Sequence, residues 1–244
     1  YVVQDCRELY DMKSAAGIPG KIGCIMEKIF TRHSDVVIAA NPFRAKIMVK
    51  MFGLKKRPLN YENIRRLEYT EAGKQKQMEE ENGDFFREKR FRIISTAGCD
   101  MSRTTGKLLE AMKELGGEYE LLLVGENDEE DEILAGATIR ELGLTNVKIL
   151  PRMDQDHLKY FIENCQIGFV AYHQRDLNNK YCASGKIFEF LYEGKPVLAS
   201  TNPPLKELCE KYGIGIASDD YVSAVRKLAG DYSRWTEQVD RFIS

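Results

Sequence analysis

Histidine is scarce in this chain, with three in 244 residues, at His33, His157 and His173. The six cysteines, Cys6, Cys24, Cys99, Cys165, Cys182 and Cys209, are scattered, and no two stand at metal-ligand spacing. A zinc cluster is therefore not indicated, and reduced thiols in a cytoplasmic protein are the expectation. An excess of either charge is also missing: 36 Lys and Arg stand against 38 Asp and Glu, which gives no whole-chain argument for nucleic acid. No apolar run approaches the roughly 20 residues of a membrane-spanning helix. The chain shows no signal-peptide pattern, no internal repeat and no low-complexity tract. No Gly-x-Gly-x-x-Gly fingerprint occurs, and no acidic residue follows a second strand at the distance a dinucleotide coenzyme needs. An initiator Met is absent too. Tyr1-Val2-Val3 reads as a strand already under way, so a preceding N-terminal portion is expected.

What is present is strict alternation. Tyr1 to Cys6 reads as a strand and Pro19 to Arg32 as a helix with Ile22, Ile25, Met26, Ile29 and Phe30 on one stripe. Val36 to Ala39 reads as a strand, and Asn41-Pro42 caps a helix running to about Phe52. Residues 65–90 are dense in Glu, Lys, Gln and Arg, and are expected to be a charged linker, partly helical. From Phe91 the order repeats: strands over Arg92–Gly98, Glu120–Val124, Asn146–Leu150, Ile167–Ala171 and Val197–Ala199 alternate with helices, and Ile214–Ala217 is a last short strand before a final helix. The last of these helices runs from about Asp220 past Trp235. This order predicts an α/β chain with a doubly wound, parallel, Rossmann-like sheet.

The most informative stretch is Asn178 to Ser200, NNKYCASGKIFEFLYEGKPVLAS. It reads as loop, helix, turn and strand, with Ser184 as N-cap, Gly185 allowing close approach, and Gly194 and Pro196 ending the helix. A helix start at Ser184 to Lys186 suits an anion, and Lys186 adds a full charge. Glu189 lies three residues on, on the same helix face. A cation for phosphate and a carboxylate for hydroxyls would suit a nucleotide-sugar. The alternative is a capped helix with a solvated Lys and Glu.

The segment SGKIFEFLYEGKPVLAS resembles the donor-binding helix of retaining, two-domain nucleotide-sugar glycosyltransferases, the family-4-type group with the B fold. The resemblance implies donor diphosphate binding by Ser184, Gly185 and Lys186, and ribose binding by Glu189. Many members carry a second Glu eight positions earlier to touch the sugar, and Tyr181 stands there instead. The resemblance further implies a domain plan. Residues 1–64 would be the tail of an acceptor-side α/β domain whose N-terminal part is incomplete, and 91–220 the donor-binding domain. Residues 221–244 would be a terminal helix that crosses back, with Trp235 and Phe242 as its apolar contacts. It implies transfer of a sugar from a nucleotide-activated donor to a saccharide or lipid-linked acceptor, with retention, no cofactor and no metal. A nucleotide-sugar epimerase of the same fold and a non-catalytic nucleotide-sugar-binding module are the alternative readings. No catalytic base is identified.

Three strand ends carry suitable chemistry. After the first strand of the donor domain, Arg103 and Lys107 are the cations for the diphosphate, or else two solvated side chains. After the second, Gly125-Glu126-Asn127 either turns beneath the donor or simply ends the strand. After the third, Arg152 and Met153 are the candidates for the base. Asn178, Asn179 and Tyr181, in the loop before the helix, are candidates for the sugar or acceptor, with a plain flexible loop as the alternative. Asp154-Gln155-Asp156 mimics a metal clamp, yet it opens a helix, where Asp is favoured as a cap. Asp219-Asp220 reads the same way. Finally, Arg44 to Arg66 holds eight cations against the single acid Glu62. That patch suits peripheral contact with an anionic membrane. The helix stripe beside it, Phe43, Ile47, Met48, Met51 and Phe52, is expected to pack on the sheet.

Overall fold

The computed structural model describes residues 1–125 and 128–244. Its first elements are β1 (Val3–Cys6), α1 (Gly17–His33), β2 (Val36–Ala39), α2 (Pro42–Phe52) and β3 (Leu59–Asn60). There follow α3 (Lys74–Asn82), a 3-10 turn at Gly83–Phe86, β4 (Phe91–Ser95), α4 (Thr105–Leu115), β5 (Tyr119–Val124), α5 (Glu129–Leu142), β6 (Val147–Leu150), α6 (Gln155–Glu163) and β7 (Ile167–Val170). The last run is α7 (Leu177–Lys180), α8 (Lys186–Tyr192), β8 (Val197–Ala199), α9 (Pro203–Tyr212), β9 (Gly215–Ala217), α10 (Tyr221–Gly230) and α11 (Tyr232–Ile243).

Two units are formed. The first contains Tyr1–Ile64, His173–Gly185 and Asn202–Pro204, and the second the remaining described residues. In the first unit β1, β2 and β3 make a parallel sheet in that order, with Val3 opposite Val36 and Ile38 opposite Leu59. α2 starts where Asn41 Oδ1 accepts from Arg44 N at 2.8 Å, and it ends at Gly53, whose φ of 67° only glycine adopts without strain. Met48 and Phe52 of its stripe are buried with Cys6, Leu9, Ala39 and Ala45, so the stripe packs on the sheet as its period requires. α1 departs from that pattern. Ile18, Ile22, Ile25, Met26, Ile29 and Phe30 are all exposed, and Thr31 is its buried residue.

The second unit is a six-stranded parallel sheet in the order β6-β5-β4-β7-β8-β9. Counted within the unit this is 3-2-1-4-5-6, the order of doubly wound nucleotide-binding sheets, with its switch point between β4 and β7. Ile93, Leu108, Leu109, Met112, Leu121, Leu123, Ile167 and Leu198 are at the centre of its core. Near the other end of the sheet, Arg92 and Glu120 are register partners on β4 and β5 and form a buried ion pair at 2.7 Å.

Residues 65–90 are more than a solvated linker. Leu67 and Met78 are buried, α3 packs on α6, and Phe85 and Phe86 lie 5.2 and 5.0 Å from the Phe161 ring. The terminal helix is two helices, because the chain breaks at Asp231, with φ −135° and ψ 44°. Trp235 packs on the core of the second unit and Phe242 meets Tyr212 at 4.8 Å, both partners lying within that unit. α9 adds to the predicted elements. Its Pro203 and Pro204 stand in the first turn, where proline fits a helix. No helix among the described residues is long and apolar enough to cross a membrane.

Candidate functional site

The switch point of the second unit is where β4 and β7 end. β4 leads into Thr96-Ala97-Gly98, and Gly98 has a φ of 68°, a left-handed conformation that glycine adopts freely. Gly98 N donates to Val124 O at 2.9 Å. A Cβ on Gly125 would sit 2.6 Å from Gly98 N, so glycine here lets the ends of β4 and β5 close against each other. Glu126 and Asn127, singled out with Gly125, lie outside the described residues.

After Gly98 the chain makes a 3-10 turn over Met101–Arg103, opened by Asp100, whose Oδ1 accepts from Ser102 N at 2.9 Å. The other oxygen of Asp100 accepts from Arg103 Nε at 2.7 Å. The guanidinium lies over the Tyr172 ring, 4.9 Å from its centroid, and so spans from the end of β4 to the end of β7. Thr104 has a φ of 70°, unusual for a β-branched residue, and its hydroxyl is 2.8 Å from Tyr221 Oη. Lys107, a turn into α4, is exposed.

α8 is held against this strand end by Phe190, which is fully buried over Gly168 of β7. A Cβ at Gly168 would lie 2.2 Å from the Phe190 ring, so the glycine makes the room. That docking fixes Lys186 and Glu189. Lys186 is the first helical residue, which puts Gly185 rather than Ser184 next to the helix start. Its Nζ donates to the Thr96 carbonyl. Burial pulls the Lys186 pKa down, Glu189 opposes this, and the nearby Arg103 and Arg65 charges add to it. Glu189 is 2% exposed, and burial raises its pKa against the pull of Arg65 and Lys186. Arg65 Nη1 stands 3.1 Å from Glu189 Oε1. The result is a buried carboxylate with three cations, Lys186, Arg103 and Arg65, at the carboxyl ends of the central strands. It can take an anion on its cations and hydroxyl donors on its carboxylate.

Arg65 was missed as a site residue, since in sequence it is one more cation at the start of a charged stretch. Arg152 and Met153 follow β6, the edge strand, two strands or about 10 Å from β4. Arg152 is exposed and Met153 half-buried. Asp154 Oδ1 accepts from His157 N at 2.9 Å, so it is the cap of α6, while Asp156 accepts from Thr70 N and Oγ1 at 2.8 and 2.6 Å. Asp220 caps α10 through Ser223 N at 3.0 Å.

Ser184, Gly185, Asn178, Asn179 and Tyr181 lie in the first unit. A Cβ on Gly185 would come within 3.0 Å of Asn63 O and Nδ2. Asn178 Oδ1 accepts from Arg44 Nη2 at 2.6 Å and Leu9 N at 2.9 Å, and the Tyr181 carbonyl accepts from Arg44 Nε at 2.8 Å. Asn179 donates to Asp176 Oδ1 at 2.8 Å. Arg44 is thus buried and committed inside the first unit, and does not belong to a basic surface.

This architecture is the glycosyltransferase B-type fold, with a doubly wound Rossmann-like sheet. No protein-family model and no curated protein sequence matches the chain. Solved structures do. The Anabaena HepE structure in complex with UDP and glucose superposes with a TM-score of 0.67 at 16% identity, covering 97% of this chain and 64% of that one. WaaG, a glycosyltransferase involved in lipopolysaccharide biosynthesis, gives 0.74 at 13% identity, over 98% of this chain and 70% of its own. Sucrose-phosphate synthase from Thermosynechococcus elongatus gives 0.66 at 16%, over 96% and 59%. The chain thus spans less than two thirds of the HepE chain.

Proposed function

We propose that the chain is the nucleotide-sugar-binding part of a glycosyltransferase. It would pass a sugar from a nucleotide-activated donor to a saccharide or lipid-linked acceptor, with retention and without a required metal. The observation that carries this reading is the pairing, on one short helix at the switch point, of buried Glu189 with Lys186 anchored on the Thr96 carbonyl. Lys186 and Arg103 would stabilise the negative charge that grows on the leaving diphosphate. Glu189 would accept from the ribose hydroxyls. That structures of similar fold hold UDP and UDP-glucose supports a uridine nucleotide as the first donor to try. Incubation with UDP-glucose and a saccharide acceptor panel is expected to release UDP in step with a glycosylated product. UDP-glucose consumed only to its epimer, or not at all across donors and acceptors, would sink the transferase reading.

The membrane contact rests on Lys46, Lys50, Lys55, Lys56 and Arg57, which are exposed on the first unit, at α2 and the loop after it. Each basic residue near an anionic surface is worth about 1 kcal/mol. Binding to anionic vesicles is expected to fall with salt and with Lys50, Lys55 and Lys56 changed to Glu. Equal sedimentation with neutral vesicles would rule out an electrostatic attachment.

A further inference from the structure

The first unit holds a cavity of about 640 Å³, well within the range of small-molecule sites, about 300–1,000 Å³. Its floor is the loop between β1 and α1, its walls are α1 and the end of α2, and the segment from Gln174 to Lys180 borders it. Four cations line it, Lys13, Lys28, Arg175 and Lys180, against two carboxylates, Asp11 and Asp176.

The carboxylates are already in use. Asp11 Oδ1 accepts from Lys13 N at 2.7 Å and Ser14 N at 2.9 Å. Asp176 Oδ1 accepts from Asn179 N at 2.8 Å, and its other oxygen from Asn179 Nδ2 at 2.9 Å. They act as turn and cap residues, and the lining, four cations against two carboxylates, keeps an excess of positive charge. Among the described residues no carboxylate stands within 4.0 Å of the amines of Lys13, Lys28 or Lys180. The lining also has an apolar part, Met12, Met51, Phe52, Leu177 and the Tyr10 ring. A free inorganic anion would use the amines and leave that part uncovered. A sugar ring would cover it with its C–H face against the aromatic ring.

We propose that this cavity binds a phosphate-bearing saccharide, with its phosphate among Lys13, Lys28 and Lys180 and its ring against Tyr10 and Met51. The site stands on the geometry of the first unit and is independent of the donor site in the second.

Cys24 lines the same cavity and is half-buried, whereas the other five cysteines are buried. Its alkylation by N-ethylmaleimide, followed by peptide mass spectrometry on the full chain, therefore reports occupancy at this place. Glucose 6-phosphate at about ten times its dissociation constant is expected to slow the modification about tenfold, since only the unoccupied fraction reacts. Neutral glucose should give no protection. Lys13→Gln and Lys28→Gln, both at exposed positions without ion pairs, should abolish the protection, read in each variant as the ratio of its own rates with and without ligand, because a lysine beside a thiol also shifts its intrinsic reactivity. Three results would overturn the proposal: no protection by millimolar glucose 6-phosphate, equal protection by inorganic phosphate, which would leave an anion site without a sugar, or protection by phosphatidylglycerol vesicles alone, which would make the surface a lipid contact.

Discussion

Replacement of Glu120 by alanine is expected to destabilise the second unit by about 3–5 kcal/mol, the cost of breaking a buried ion pair from one side. The side chains of Arg92 and Glu120 are 6% and 3% exposed. Arg92 Nε meets one carboxylate oxygen at 2.7 Å, and Lys148 Nζ stands 3.3 Å from the other. The remaining arm of the guanidinium donates to the Glu88 carbonyl at 2.6 Å, and the group lies over the Phe86 ring. Alanine at 120 would leave that guanidinium buried without its counter-charge. Urea unfolding followed by circular dichroism measures the loss. The double variant Arg92→Met/Glu120→Leu should recover most of it, because apolar side chains of similar volume carry no desolvation penalty. A loss below about 1 kcal/mol for Glu120→Ala would mean that Arg92 behaves like an exposed pair.

Uridine diphosphate is expected to raise the melting temperature. At 100 times its dissociation constant a ligand contributes about 2.7 kcal/mol, which corresponds to about 5–11 °C in a chain of this size. Lys186→Ala and Glu189→Ala should each remove about 1.5–3 kcal/mol of that binding, the range for a hydrogen bond to a charged group. Neither change should unfold the protein. Arg65, the ion-pair partner of Glu189, has a side chain 58% exposed and can turn to water. Wild-type shifts in both variants, or no shift with any common nucleoside diphosphate, would remove the donor-site assignment.

The sheet of the second unit was legible because parallel strands buried on both faces read as short apolar runs, and Gly, Asn and Asp mark their ends. The caps Asn41, Asp154 and Asp220 were legible for the same reason: each acts within three residues. What stayed hidden acts across the fold. Phe190 needs Gly168, and Glu189 needs Arg65, at separations no local pattern spans. α1 shows the converse limit. Its period announces an apolar face correctly, but periodicity does not say what covers that face, and its isoleucines are exposed. Residues 173–185 read as a loop beside the helix, yet Arg44 claims their backbone from more than a hundred residues away.

That claim sets an order of events during synthesis. Leu177 packs on the core of the first unit, and Asn178 and Tyr181 satisfy Arg44, which is buried there. A ribosome that has finished residue 64 must add β4 to β7 before these partners exist. At typical elongation rates that interval is on the order of 10 s. For that time the Arg44 guanidinium has Glu8, 3.7 Å away, and the Arg7 carbonyl but not the Asn178 and Tyr181 acceptors, and the second unit, with four of its strands already emerged, has the head start.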